Sequence, residues 1–155
     1  MSERSADTRT LTCVEDTVEF GRQLGVQLRA GDVVVLSGPL GAGKTMLAKG
    51  IAVAMNVEGP VLSPTYVLAR VHRPRQVGTP AMIHVDFYRL LDDGDADLLG
   101  ELDSLDLDTD LDEAVVVAEW GEGLAERLSE RHLHVRLERV PDSDVRTATW
   151  RWGEP

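Results

Sequence analysis

A single cysteine, Cys13, stands in the 155 residues. That excludes an internal disulfide, and nothing in the chain asks for an oxidising compartment. Cys13 is expected as a small residue packed in a strand. No apolar run approaches the ~20 residues of a membrane span, so no membrane association is expected. The opening residues, MSERSADTRT, are polar with no apolar segment behind them, unlike a secretory signal; the expected location is cytoplasmic. Internal repeats and Ser- or Pro-rich linkers are also lacking. At ~100–200 residues per domain, residues 1–155 read as a single domain. Basic residues are scarce, 16 against 27 acidic ones, for a net charge of -11. Binding bare nucleic acid usually requires a basic surface, so that function class is disfavoured. Part of the acidic excess lies between Asp92 and Glu113.

What is present alternates between strand and helix periodicity. TRTLTCV, Thr8 to Val14, alternates as an edge strand does. EDTVEFGRQLGVQL, from Glu15, puts Val18, Gly21, Leu24, Gly25 and Leu28 on one helical face, with Asp16 or Thr17 as its cap. DVVVLSG is nearly all apolar, as for a central strand covered on both faces. KTMLAKGIAVAMN follows as a helix of good formers that ends near Asn56 to Gly59. SPTYVLARVH begins as a loop and becomes a strand, PRQVGTP turns, and AMIHVDFYRL returns as a strand ending near Asp86. Asp92 to Glu113 is rich in Asp and Leu, with a helix expected from Asp97 to Leu105. AVVVAEW is a further buried strand, GEGLAERLSE a short helix, and LHVRLERV with VRTATWRW a closing antiparallel hairpin. The expected fold is α/β: a mixed sheet with parallel core strands, a C-terminal antiparallel hairpin and helices on both faces.

Gly38-Pro39-Leu40-Gly41-Ala42-Gly43-Lys44-Thr45 matches G-x-x-x-x-G-K-[ST] in full. An expected strand precedes it and an expected helix follows, which is the context this phosphate-binding motif requires. The glycines let backbone N–H groups turn inward around phosphate oxygens, and the helix N-terminus adds its dipole. Lys44 has the reach for β- and γ-phosphates, and the Thr45 hydroxyl suits Mg²⁺. Gly38, Leu40, Gly41, Ala42, Gly43, Lys44, Thr45 and the following Met46 are thus the candidate nucleotide contacts. Mg²⁺ also takes carboxylate oxygens. Asp86 and Glu119, each ending an apolar strand at the sheet's carboxyl edge, are the metal and catalytic candidates beside Thr45 and Lys44. Either acid suits the orientation of an attacking water. Thr65, in the Ser63-Pro64-Thr65 loop, is either a sensor of the γ-phosphate or part of a plain turn. No N-K-x-D guanine signature is present, so adenine is favoured by elimination; Asp97-Leu98-Leu99-Gly100 matches D-x-x-G only within a low-information acidic run.

Other residues divide between function and packing. Arg89 stands either to lend charge to a transition state or to form a surface salt bridge, and no arginine is an evident finger, so slow turnover by the chain alone is expected. Trp120 either lies over the nucleotide or caps the core. Trp150 and Trp152 are expected to pack. His84 reads as a satisfied structural group. His132 and His134 lie two apart, without the spacing of a zinc site.

SGPLGAGKT, SPTYVL, HVDFYRL and AEW, in that order on one small domain, resemble the bacterial TsaE (YjeE) family, the ATPases required for threonylcarbamoyladenosine formation in tRNA. The likeness covers roughly Val14 to Trp120. It implies a P-loop NTPase-like sheet with appended antiparallel strands, ATP on Gly41 to Thr45, Mg²⁺ held by Thr45 and Glu119, and Asp86 acting through water. It further implies a switch-like Ser63-Pro64-Thr65 loop, the Asp16-Thr17 segment near the nucleotide base and Arg146 near the nucleotide. The implied partners are a TsaD-type transferase and a TsaB-type companion, with tRNA reached only through them. The acidic run from Asp92 to Glu113 departs from the family's pattern. The competing readings are a small-molecule kinase of P-loop type and a nucleotide-gated binding module.

Overall fold

In the computed structural model, the described residues are 7–39, 42–59, 61, 69–86, 113–119 and 131–153. They form β1 (Asp7–Leu11), α1 (Val14–Gly25), β2 (Val33–Ser37), α2 (Lys44–Met55), β3 (Ala69–His72), β4 (Ala81–Asp86), β5 (Ala114–Glu119), β6 (His132–Arg139) and β7 (Arg146–Gly153). The strands make one sheet in the order β1-β7-β6-β2-β5-β4-β3. The expected helices at 97–105 and 121–130 lie outside the described residues. Among those described, no helix is long and apolar enough to cross a membrane.

The apolar run of β2 becomes the centre of this sheet. Val33, Val34, Val35 and Leu36 are all buried, as a strand of uninterrupted apolar residues requires. It runs parallel to β5 on one side and to β6 on the other, and β4 extends the parallel set beyond β5. The closing hairpin forms as expected, with Leu133 opposite Trp152 and Leu137 opposite Ala148. Its first strand is more than a tail, because β6 lies directly beside the central strand. β1 is an edge strand, antiparallel to β7.

Two helices cover the face carrying Val34, Leu36, Met82, Val115 and Val117. They lie very close, through small residues. A Cβ added at Gly21 would strike the carbonyl of Leu47, and one at Gly50 the carbonyl of Val18. Gly25 faces Ile51 and Ala54 in the same way. Since residue numbers rise together along this contact, α1 and α2 run parallel and bring both N-termini to one edge. The residues pointing the other way, including Val33, Val35, Ile83, Val85, Val116 and Ala118, are buried too.

Three local expectations need correction. The N-cap of α1 is Cys13, without a side-chain cap bond, where Asp16 or Thr17 was expected. Asp16 instead reaches back, its Oδ2 accepting from the backbone N–H and hydroxyl of Thr12 at 2.9 and 2.6 Å. Cys13 is exposed rather than packed in a strand, because the chain leaves the sheet at Leu11. The helix ends at Gly25 rather than Leu28: Gln27 and Leu28 donate to the carbonyls of Leu24 and Gly25, a tightened last turn of the three-residue type.

Candidate nucleotide site at the carboxyl edge of the sheet

Parallel strands end together, and the loops after them share one edge. β2 runs out at Ser37 into Gly38, whose φ is 137°. A Cβ there would enter the Leu137 carbonyl of β6, so only glycine permits both the dihedral and the approach. Gly43, at φ 104°, is the N-cap of α2, and its carbonyl accepts from the N–H of Leu47 at 2.9 Å, starting the helix. Between them Ala42 is buried and its N–H bonds the Pro39 carbonyl at 3.1 Å. Leu40 and Gly41 lie outside the described residues. The remaining loop is a glycine-bounded cradle that opens onto a helix N-terminus, the geometry that suits an anion.

Lys44 is 5% exposed. Its Nζ donates to the carbonyls of Gly38 at 2.7 Å and Pro39 at 3.1 Å, which ties the helix start to the mouth of the loop. Thr45 and Met46 follow in the first turn of α2, both half-buried. Thr17 is buried on α1, and its Cγ2 lies 3.6 Å from the Cβ position of Gly43. Arg146 is in register with Leu11 and Arg139, at the same edge. Thr65, Arg89 and Trp120 lie outside the described residues.

The two acids end adjacent strands at one height. Asp86 pairs in register with Glu119, and Glu119 with Leu36 of β2. The Glu119 carboxylate is nearly buried, and its Oε2 accepts from Nε2 of the fully buried His84 at 2.7 Å. This partnership is not apparent from the sequence, where His84 and Glu119 are 35 residues apart.

Glu119 and the Thr45 hydroxyl supply hard oxygen donors at the edge carrying the cradle, which fits Mg²⁺ more than a softer metal. Among the described residues, no group of three or more His, Cys, Asp or Glu side chains is placed to hold a metal. Few protein ligands are what Mg²⁺ takes when phosphate oxygens and waters complete its shell. His132 and His134 meet edge to face with centroids 5.0 Å apart. Trp150 packs on Phe20 at 4.7 Å, and Arg131 lies over Trp152 at 4.2 Å. These belong to packing.

Known proteins resemble this chain in sequence and in fold. Residues 11–148 match the family model described as "Threonylcarbamoyl adenosine biosynthesis protein TsaE". The chain is 76% identical over 146 residues to the tRNA threonylcarbamoyladenosine biosynthesis protein TsaE of Mycobacterium bovis, covering 94% of this chain and 87% of that one. It is 75% identical over 154 residues to the protein of that name from Mycobacterium leprae, covering 98% and 96%. Its fold matches the crystal structure of Bacillus subtilis YdiB with a TM-score of 0.70 at 22% identity, over 100% of this chain and 89% of that one. With its parallel core and glycine-bounded loop, and with most of its length matched, the chain belongs to the TsaE family.

Proposed function

We propose that this chain is a magnesium-dependent ATPase serving the formation of threonylcarbamoyladenosine in tRNA, acting on a TsaD-type transferase and its TsaB-type companion. The observation that carries the reading is the loop from Gly38 to Thr45, bounded by Gly38 and Gly43 at positive φ and set between β2 and α2. Family membership supports the tRNA-modification context, since relatives of 75% and 76% identity bear that name. The tRNA is reached only through the transferase, in keeping with a net charge of -11. A cytoplasmic location follows from that role.

Backbone N–H groups of residues 41 to 45 and the Lys44 ammonium hold the phosphates, Lys44 shifting from its own loop carbonyls toward the β- and γ-oxygens. Bound Mg²⁺, held by Thr45 and Glu119, supplies charge neutralisation across the phosphates. Asp86 or Glu119 orients a water, whose oxygen attacks the γ-phosphorus as the bond to the β-phosphate oxygen breaks, giving ADP and phosphate. Leu40, Ala42 and Met46 are further contacts to the phosphates, and Thr17, Thr65, Trp120 and Arg146 are the outer contacts to the nucleotide. No arginine in the sequence is an evident finger, so turnover by the isolated chain is slow and rises with the partners.

The test is reconstitution with the transferase and its companion, following tRNA modification and free phosphate over many turnovers. Modification that needs this chain and ATP, with phosphate released in the absence of any small acceptor, is expected. Phosphate transferred only to an added small molecule would make the chain a kinase. Modification proceeding equally without the chain would contradict the role.

A further inference from the structure

We infer that His84 is a positioning residue of the nucleotide site: its Nε2–H holds Oε2 of Glu119 and aims that carboxylate at the cation, an inference that rests on the ATPase reading above. The bond is 2.7 Å long, between a side chain that is 0% exposed and one that is 8% exposed. β4 and β5 run parallel with His84 opposite Val117 and Asp86 opposite Glu119. The contact therefore runs diagonally along one face, from inside the sheet to its edge. That face is otherwise apolar below the edge, with Met82, Val115 and Val117 in the core cluster.

An imidazole is an unfavourable residue for such a place. Nδ1 of His84 is buried with no hydrogen-bond partner among the described residues, and an unsatisfied buried polar atom costs about 1–3 kcal/mol. A packed leucine would avoid that cost. What leucine lacks is a donor at the level of Glu119. A carboxylate oxygen accepts, so in this bond Nε2 is the donor. One oxygen is committed to the imidazole, which leaves the other, Oε1, for the cation. Neighbours that orient ligating carboxylates in this way typically matter 10–100-fold for metal affinity.

The test uses the full chain with a non-hydrolysable ATP analogue, reading Mn²⁺ binding by electron paramagnetic resonance. Binding of a fluorescent ATP analogue in EDTA is measured alongside. His84→Leu is expected to raise the Mn²⁺ concentration for half-saturation by about 10–100-fold and to leave nucleotide affinity in EDTA within about twofold. His84→Gln, whose amide N–H reaches the same oxygen, should recover most of the loss. A His84→Leu shift below about twofold, or a His84→Gln variant as impaired as His84→Leu, overturns the inference and leaves the ATP site standing. Parallel loss of EDTA-phase binding and of thermal midpoint in both variants assigns His84 to the fold and overturns it too. Unchanged Mn²⁺ binding in Glu119→Gln removes the metal site itself, and the inference with it.

Discussion

Lys44 is the side chain that ties together the proposed phosphate loop, buried at the start of α2 and bonded to two carbonyls of its own loop. Hydrogen bonds to a charged group contribute ~1.5–3 kcal/mol. Lys44→Ala should therefore weaken ATP binding on the order of a hundredfold and abolish turnover, as a nucleotide titration would measure; wild-type affinity in that variant would refute the assignment. His72 offers a second residue-scale prediction. Burial pulls its pKa below 6.5, with repulsion from His84 and Arg70 adding to the effect and the Glu58 carbonyl, which accepts from Nδ1 at 2.9 Å, opposing it. As pH falls through 6.5, the unfolded chain takes up a proton that the folded chain resists. Stability is therefore lost on the acid side of 6.5, until the folded imidazole also protonates. Thermal midpoints of His72→Gln should fall less steeply between pH 7 and 5.5 than those of the wild type; identical slopes would contradict the argument. At this scale the sequence reveals single side chains and hides pairs. Lys44, Thr45 and Glu119 announce themselves by motif and by position at a strand end. The bond from His84 to Glu119 depends on the register of two strands far apart in sequence, and no local pattern encodes it.

The two helices show how element boundaries follow from small residues. Gly21, Gly25 and Gly50 form the crossing of α1 and α2, where added Cβ atoms would meet backbone. Overpacking of such a contact costs roughly 1–3 kcal/mol. Gly50→Ala should lower the unfolding free energy by about that amount in a urea titration and shift α1 relative to the phosphate loop. Gly78 makes the contrast: its φ is 93° and nothing lies within 4 Å of an added Cβ. Gly78→Ala meets only the left-handed backbone penalty, about 1–2 kcal/mol, and should leave nucleotide binding unchanged. Equal loss of nucleotide binding in both variants would show that the crossing does not position the loop. The periodicity of α1 and α2 is plain in the sequence, as is the Gly43 start of α2. The end of α1 is less so, because its last turn tightens while the apolar spacing continues to Leu28.

Across the whole molecule, the sheet gathers Gly38, Glu119, Asp86 and Arg146 at one edge, and the chain carries a net charge of -11. The isolated chain is expected to retain no tRNA in a filter-binding assay at physiological salt, and to associate with it only when the transferase is present. Tight, salt-sensitive binding by the chain alone would contradict that division of labour. The mixed sheet and closing hairpin were legible from alternating strands and helices. The insertion of β6 beside β2 was not, since parallel pairing between distant strands leaves no local signature.

The most direct measurement is a crystal structure of the chain with Mg²⁺ and a non-hydrolysable ATP analogue. The β- and γ-phosphates should lie against the amides of residues 41 to 45, with the Lys44 ammonium turned onto them and Thr45 and Glu119 about the metal. A nucleotide bound elsewhere, or a loop that leaves Lys44 on the carbonyls of Gly38 and Pro39 while nucleotide is present, would contradict the account.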